Sequence, residues 1–110
     1  MGSRGVRRLS PRAVVNIAKP PGGFRLIERP AIAPLLDSYT QQWPRLPEWW
    51  SNLTDRLRQT GHREGKPVAG GPQGSRLFVV DADPFIGLPR IKVVYVVLGD
   101  TLTIYMVGIA

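Results

Sequence analysis

The stretch that most constrains this chain lies near its end. Ile91-Lys92-Val93-Val94-Tyr95-Val96-Val97-Leu98 is β-branched or aromatic at nearly every position, Gly99-Asp100 follows, and Thr101-Leu102-Thr103-Ile104-Tyr105-Met106-Val107 alternates. Such side chains fit a pleated surface, and a glycine-containing pair between two such runs is a two-residue hairpin turn. The window from Val93 to Ala110 is also long enough to cross a bilayer, with Asp100 its only charge. A glycine and an aspartate near its centre oppose a membrane helix, so two strands and a turn are expected and no membrane partner is.

The short turn sets the register: Leu98 faces Thr101, Val97 faces Leu102, Tyr95 faces Ile104 and Val93 faces Met106. One face is then Ile91, Val93, Tyr95, Val97, Leu102, Ile104 and Met106, almost wholly apolar and directed at the core. Tyr95 reads there as a core tyrosine with a satisfied hydroxyl. The opposite face carries Lys92, Val94, Val96, Leu98, Thr101, Thr103, Tyr105 and Val107, with Lys92 and Tyr105 close together, and offers a groove to a partner.

Upstream the apolar period changes from 2 to 3.6. Phe24 to Glu28 reads as a short first strand. Pro34 suits a first helical turn, Leu35, Leu36, Tyr39 and Trp43 share one face, and this helix stops before Pro44. A second helix begins around Pro47 with the stripe Leu46, Trp49, Trp50, Leu53 and Leu57, and Gly61 is expected to end it in the left-handed conformation. His62 to Ser75 reads as a polar, mobile loop, Arg76 to Val80 as a strand, and Asp81 to Pro89 as a connection. The fold class is therefore α+β in two layers, a helical hairpin packed on an antiparallel sheet in the order β-α-α-β-β-β.

Charge is unevenly placed. The chain has 15 basic and 8 acidic residues, net +7, which favours a polyanionic partner. Residues 1–22 hold Arg4, Arg7, Arg8, Arg12 and Lys19 and no acid, so residues 23–110 keep ten basic and eight acidic groups, net +2. Residues 1–22 read as a disordered basic arm ending in Lys19-Pro20-Pro21-Gly22, and residues 23–110 as one domain. No apolar run follows the arginines as in a secretory signal. A cytoplasmic location is the expectation.

Metal chemistry is not expected, because the chain has no cysteine and one histidine, His62. Gly61-His62-Arg63-Glu64-Gly65-Lys66-Pro67 is one residue short of a Walker loop and has Pro67 where the magnesium-binding hydroxyl belongs. Gly70-Gly71-Pro72-Gln73-Gly74 lacks the spacing and the helix of a dinucleotide fingerprint. No cofactor is expected. Arg56, Arg58 and Arg63 read either as a solvated helix end or as phosphate contacts.

Ile91-Lys92-Val93-Val94-Tyr95-Val96-Val97, then Gly99-Asp100 and Thr101 to Val107, resembles the terminal hairpin of the RelE/ParE toxin superfamily, and the element order is similar to that family's over residues 24–108. The resemblance implies a bacterial toxin of a type II toxin–antitoxin pair. Its activity would be ribosome-dependent messenger RNA cleavage and inhibition of translation, with no metal. The alternative is a non-catalytic binding protein of the same fold: a DNA gyrase inhibitor, a degenerate toxin or a small basic RNA-associated protein. Implied partners are an antitoxin and either the RNA and ribosome or gyrase. Lys92 stands where the family has arginine. On this resemblance Lys92, Arg76 and Tyr105 are the catalytic candidates, with Arg90, Lys66 and Arg63 binding nucleic acid. Arg76 can face either side of the sheet, because no short turn fixes its register. With no histidine near the last strand, a desolvated lysine is the expected base.

Overall fold

The computed structural model describes residues 19–109. Strand β1 is Arg25–Glu28, helix α1 Ile32–Gln42, helix α2 Leu46–Thr60, strand β2 Lys66–Pro67, β3 Ser75–Val80, β4 Ile91–Leu98 and β5 Thr101–Ile109. They build an α+β fold in which one five-stranded sheet has the order β1-β5-β4-β3-β2. Most of the expected arm lies outside the described residues. Its last residues turn back on α2: Gly23 N–H donates to Pro20 O at 3.0 Å, and Arg58 holds Phe24 O at 3.0 Å and Gly22 O at 3.4 Å.

The sheet is mixed rather than antiparallel, because β1 runs parallel to β5, with Leu26 opposite Leu102 and Glu28 opposite Ile104. The helical pair explains this. Phe24 N–H donates to Arg58 O at 2.8 Å, so α2 ends beside the start of β1. β2 then runs opposite to β1, and three antiparallel pairings in succession bring β5 back to the direction of β1. The expected loop at 62–75 thus contains a short edge strand, with Lys66 opposite Leu77 and Pro67 opposite Arg76.

Pro34 and Pro47 both sit in first helical turns, where a missing N–H costs no intrahelical bond. Gly61 closes α2 with φ −59°, so it is not the left-handed terminator expected. Its need for glycine is steric: a Cβ there would come within 2.5 Å of both Leu57 O and the Leu102 side chain.

The core lies between the helices and one face of the sheet. Leu46, Trp50, Leu53 and Leu57 from α2 meet Val93, Tyr95, Val97, Leu102 and Ile104, all buried. Trp50 also donates its indole N–H to Glu28 Oε2 at 2.8 Å, which pins α2 to β1. Trp43 and Trp49 are half-buried against this cluster.

The hairpin register agrees with expectation from Leu98↔Thr101 to Tyr95↔Ile104, and then shifts. Val94 pairs with Met106 and Val93 with Val107, so Tyr105 is an extra residue, a β-bulge. The expected Val93↔Met106 pair does not form. The bulge turns Tyr105 and Met106 outward in succession and Val107 inward, which leaves Met106 61% exposed and Val107 3%.

Candidate functional site

The three catalytic candidates do not converge. Arg76 pairs with Tyr95 across β3 and β4, so its side chain is on the helix-facing side of the sheet. There its Nε donates to Glu64 O at 2.6 Å and its Nη2 to Gly65 O at 3.2 Å. Tyr95 donates its hydroxyl to Gly61 O at 2.7 Å and approaches Glu64 O at 3.0 Å. Arg76 and Tyr95 together therefore clamp the turn that follows α2. Tyr95 is fully buried, and burial pushes its hydroxyl up to about 12. The expected core role of Tyr95 agrees with this geometry.

Lys92 is on the other side of the sheet, between Val79 of β3 and Gly108 of β5. It is exposed, flanked by valine and glycine, rather than desolvated. Tyr105 also points outward, but the bulge separates it from Lys92, whose cross-strand partner is Gly108. The Tyr105 ring lies under the Arg29 guanidinium, 4.8 Å from ring centroid to Cζ.

The nucleic-acid candidates are dispersed too. Arg90 is exposed and reaches Asp81 at 4.0 Å, whereas Lys66 is exposed on the far edge strand. Arg63 is exposed in the turn after α2 and has no ion pair among the described residues. Arg56 and Arg58 are structural. Arg56 bonds Glu64 at 2.6 Å and lies 5.2 Å from the Phe78 ring centroid, while Arg58 caps the entry to β1. The Arg56 hydrogen bond holds the Glu64 carboxyl below its ordinary range.

What the outer sheet face does present is apolar surface. Five large apolar side chains are exposed among the described residues, and four of them, Ile27, Val79, Leu98 and Met106, share this face, with Leu98 68% exposed. The fifth, Phe85, belongs to the connection before β4. Arg25, Lys66 and Lys92 stand on the same face, because they pair with the outward residues Thr101, Leu77 and Val79. No acidic side chain points outward from these strands: the one acid within them, Glu28, is turned to Trp50. One corner of the face is covered, where Ser75 and Val96 are buried beside Gly71 and Gly74.

The partner groove expected on this face from Lys92 and Tyr105 is marked in the structure by its exposed apolar residues. The continuous Val-Ile-Leu character of β4 was the available signal, since a strand apolar on both sides is normally covered on both. Among the described residues there is no helix long and apolar enough to cross a membrane and no cluster of groups able to hold a metal ion. Comparison with known proteins finds no matching family model, no curated relative and no similar solved structure.

Proposed function

We propose that this protein is the toxin-like member of a toxin–antitoxin pair, and that it acts by binding through the outer face of its sheet rather than by cutting RNA. The observation that carries this reading is the concentration of exposed Ile27, Val79, Leu98 and Met106 on a face where, among the described strand residues, the outward charges are all basic. Large exposed apolar patches mark protein contacts, whereas nucleic-acid surfaces are more polar and more strongly positive. The occupant that fits is a protein segment that presents apolar side chains to these four and carboxylates to Arg25, Lys66 and Lys92. The nuclease site that the resemblance implies needs Lys92 and Arg76 at one phosphate, and these two lie on opposite sides of the sheet.

The experiment is expression in bacteria, alone and together with the product of the adjoining small reading frame. Growth arrest is expected from the chain alone, with rescue and co-purification when both are made. Lys92→Ala should stay toxic and Leu98→Glu should not. A chain that is harmless alone and co-purifies with nothing contradicts the proposal. Loss of toxicity in a folded Lys92→Ala chain, with messenger RNA cleavage by the parent, contradicts its non-catalytic part.

A further inference from the structure

Two glycine-containing segments that match neither a Walker loop nor a dinucleotide fingerprint meet at one end of the sheet. The turn after α2 forms one wall and the 67–75 loop the other, enclosing a cleft of about 600 Å³ that is open to solvent. The loop is held close by its own backbone: Val97 N–H donates to Gly74 O at 3.3 Å, and Ser75 donates its hydroxyl to Pro72 O at 2.6 Å. Gly74 sits there at φ +86°, where a Cβ would come within 2.7 Å of Val97 O. Only glycine allows that approach.

We propose that this cleft binds a phosphomonoester of nucleotide size, held by Arg63 and Arg76 against the His62 ring. The ionisable residues in its lining are His62, Arg63 and Arg76, all basic. The carboxylate of the same turn, Glu64, is engaged by Arg56 and by Thr60 at 2.9 Å. Arg76 is fixed in advance by its bonds to Glu64 O and Gly65 O. Two guanidinium groups match the charge and the several oxygens of a phosphate dianion better than a single carboxylate does. The volume exceeds what phosphate alone fills and lies in the range of small-molecule sites, and Pro67, Val68, Pro72 and Val97 supply apolar wall for the rest of the ligand.

His62 carries a second indication. Its ring lies 5.3 Å from the Phe24 ring, and its Nδ1 is buried without a hydrogen-bond partner. A bare lone pair is cheaper to bury than a bare N–H, so the proton belongs on Nε2, which is then the ring's hydrogen-bond donor. Burial holds the imidazole below its ordinary range, aided by Arg63 in its own turn, Lys19 from the segment before β1 and Arg76 from β3. A bound dianion opposes those three charges and raises the affinity of the ring for a proton.

His62 is the sole histidine, so its imidazole NMR signal reports on this cleft alone. Titration of the full chain with adenosine monophosphate should shift the signal saturably and move its midpoint to higher pH, with no effect from adenosine and weaker binding of inorganic phosphate. Arg63→Ala, at an exposed position, should keep the circular dichroism of the parent and weaken binding by about tenfold, with Arg63→Lys between the two. The proposal is overturned by the absence of a saturable shift, by an equal response to adenosine, by equal affinity for inorganic phosphate, or by a folded Arg63→Ala chain that binds as the parent does.

Discussion

At the scale of single residues, the most informative side chain is Tyr95, because one hydroxyl serves the carbonyls of both Gly61 and Glu64 inside the core. Tyr95→Phe keeps the ring and strands the Gly61 carbonyl, while Glu64 O keeps its bond from Arg76 Nε. It should cost about 1–3 kcal/mol, read as a lower urea midpoint with unchanged slope. A Phe variant as stable as the parent would mean that the turn after α2 is held by Arg76 alone. The inward direction of Tyr95 was legible in the sequence, since it lies near a two-residue turn that fixes the count. The direction of Arg76 was not, because β3 is joined to β4 by the long connection at 81–90 and nothing local sets its phase. That phase decides whether Arg76 stands beside Lys92 or, as found, behind the sheet.

At the scale of elements, both helices were readable from proline position and apolar spacing, and the β4–β5 hairpin from its glycine turn. The bulge was not. It is made by Tyr105 and Met106, two bulky residues with no glycine to mark them, and it is stabilised by what surrounds it: Val107 is drawn into the core and Tyr105 packs under Arg29. This yields a test that discriminates the two registers. Without the bulge Met106 is a core residue and Val107 an outer one; with it the roles reverse. Met106→Lys should change stability by less than about 0.5 kcal/mol, and Val107→Lys should cost about 3 kcal/mol or prevent folding, measured as thermal and urea midpoints. The opposite ranking would restore the straight hairpin. The parallel pairing of β1 with β5 was likewise hidden, since it joins segments at the two ends of the domain and depends on the helical pair that lies between them.

At the scale of the whole molecule, a helical layer covers one side of a five-stranded sheet and leaves the other side apolar and basic among the described residues. The cost of that arrangement is exposure of Ile27, Val79, Leu98 and Met106 to water, at about 25 cal/mol for each Å² that a partner would cover. Composition alone favours a polyanion; residues 23–110, with net charge +2, favour a protein surface with acidic and apolar groups. Met106 is the only methionine besides the first residue, so its methyl resonance lies at the centre of the claim. The most direct measurement is the NMR spectrum of the methionine-labelled chain with and without the product of the adjoining reading frame. The account predicts that the Met106 methyl shifts or broadens on addition and that Leu98→Glu abolishes the effect. A partner that binds while the Met106 methyl stays unmoved, or that binds the Leu98→Glu chain with the affinity of the parent, would contradict it.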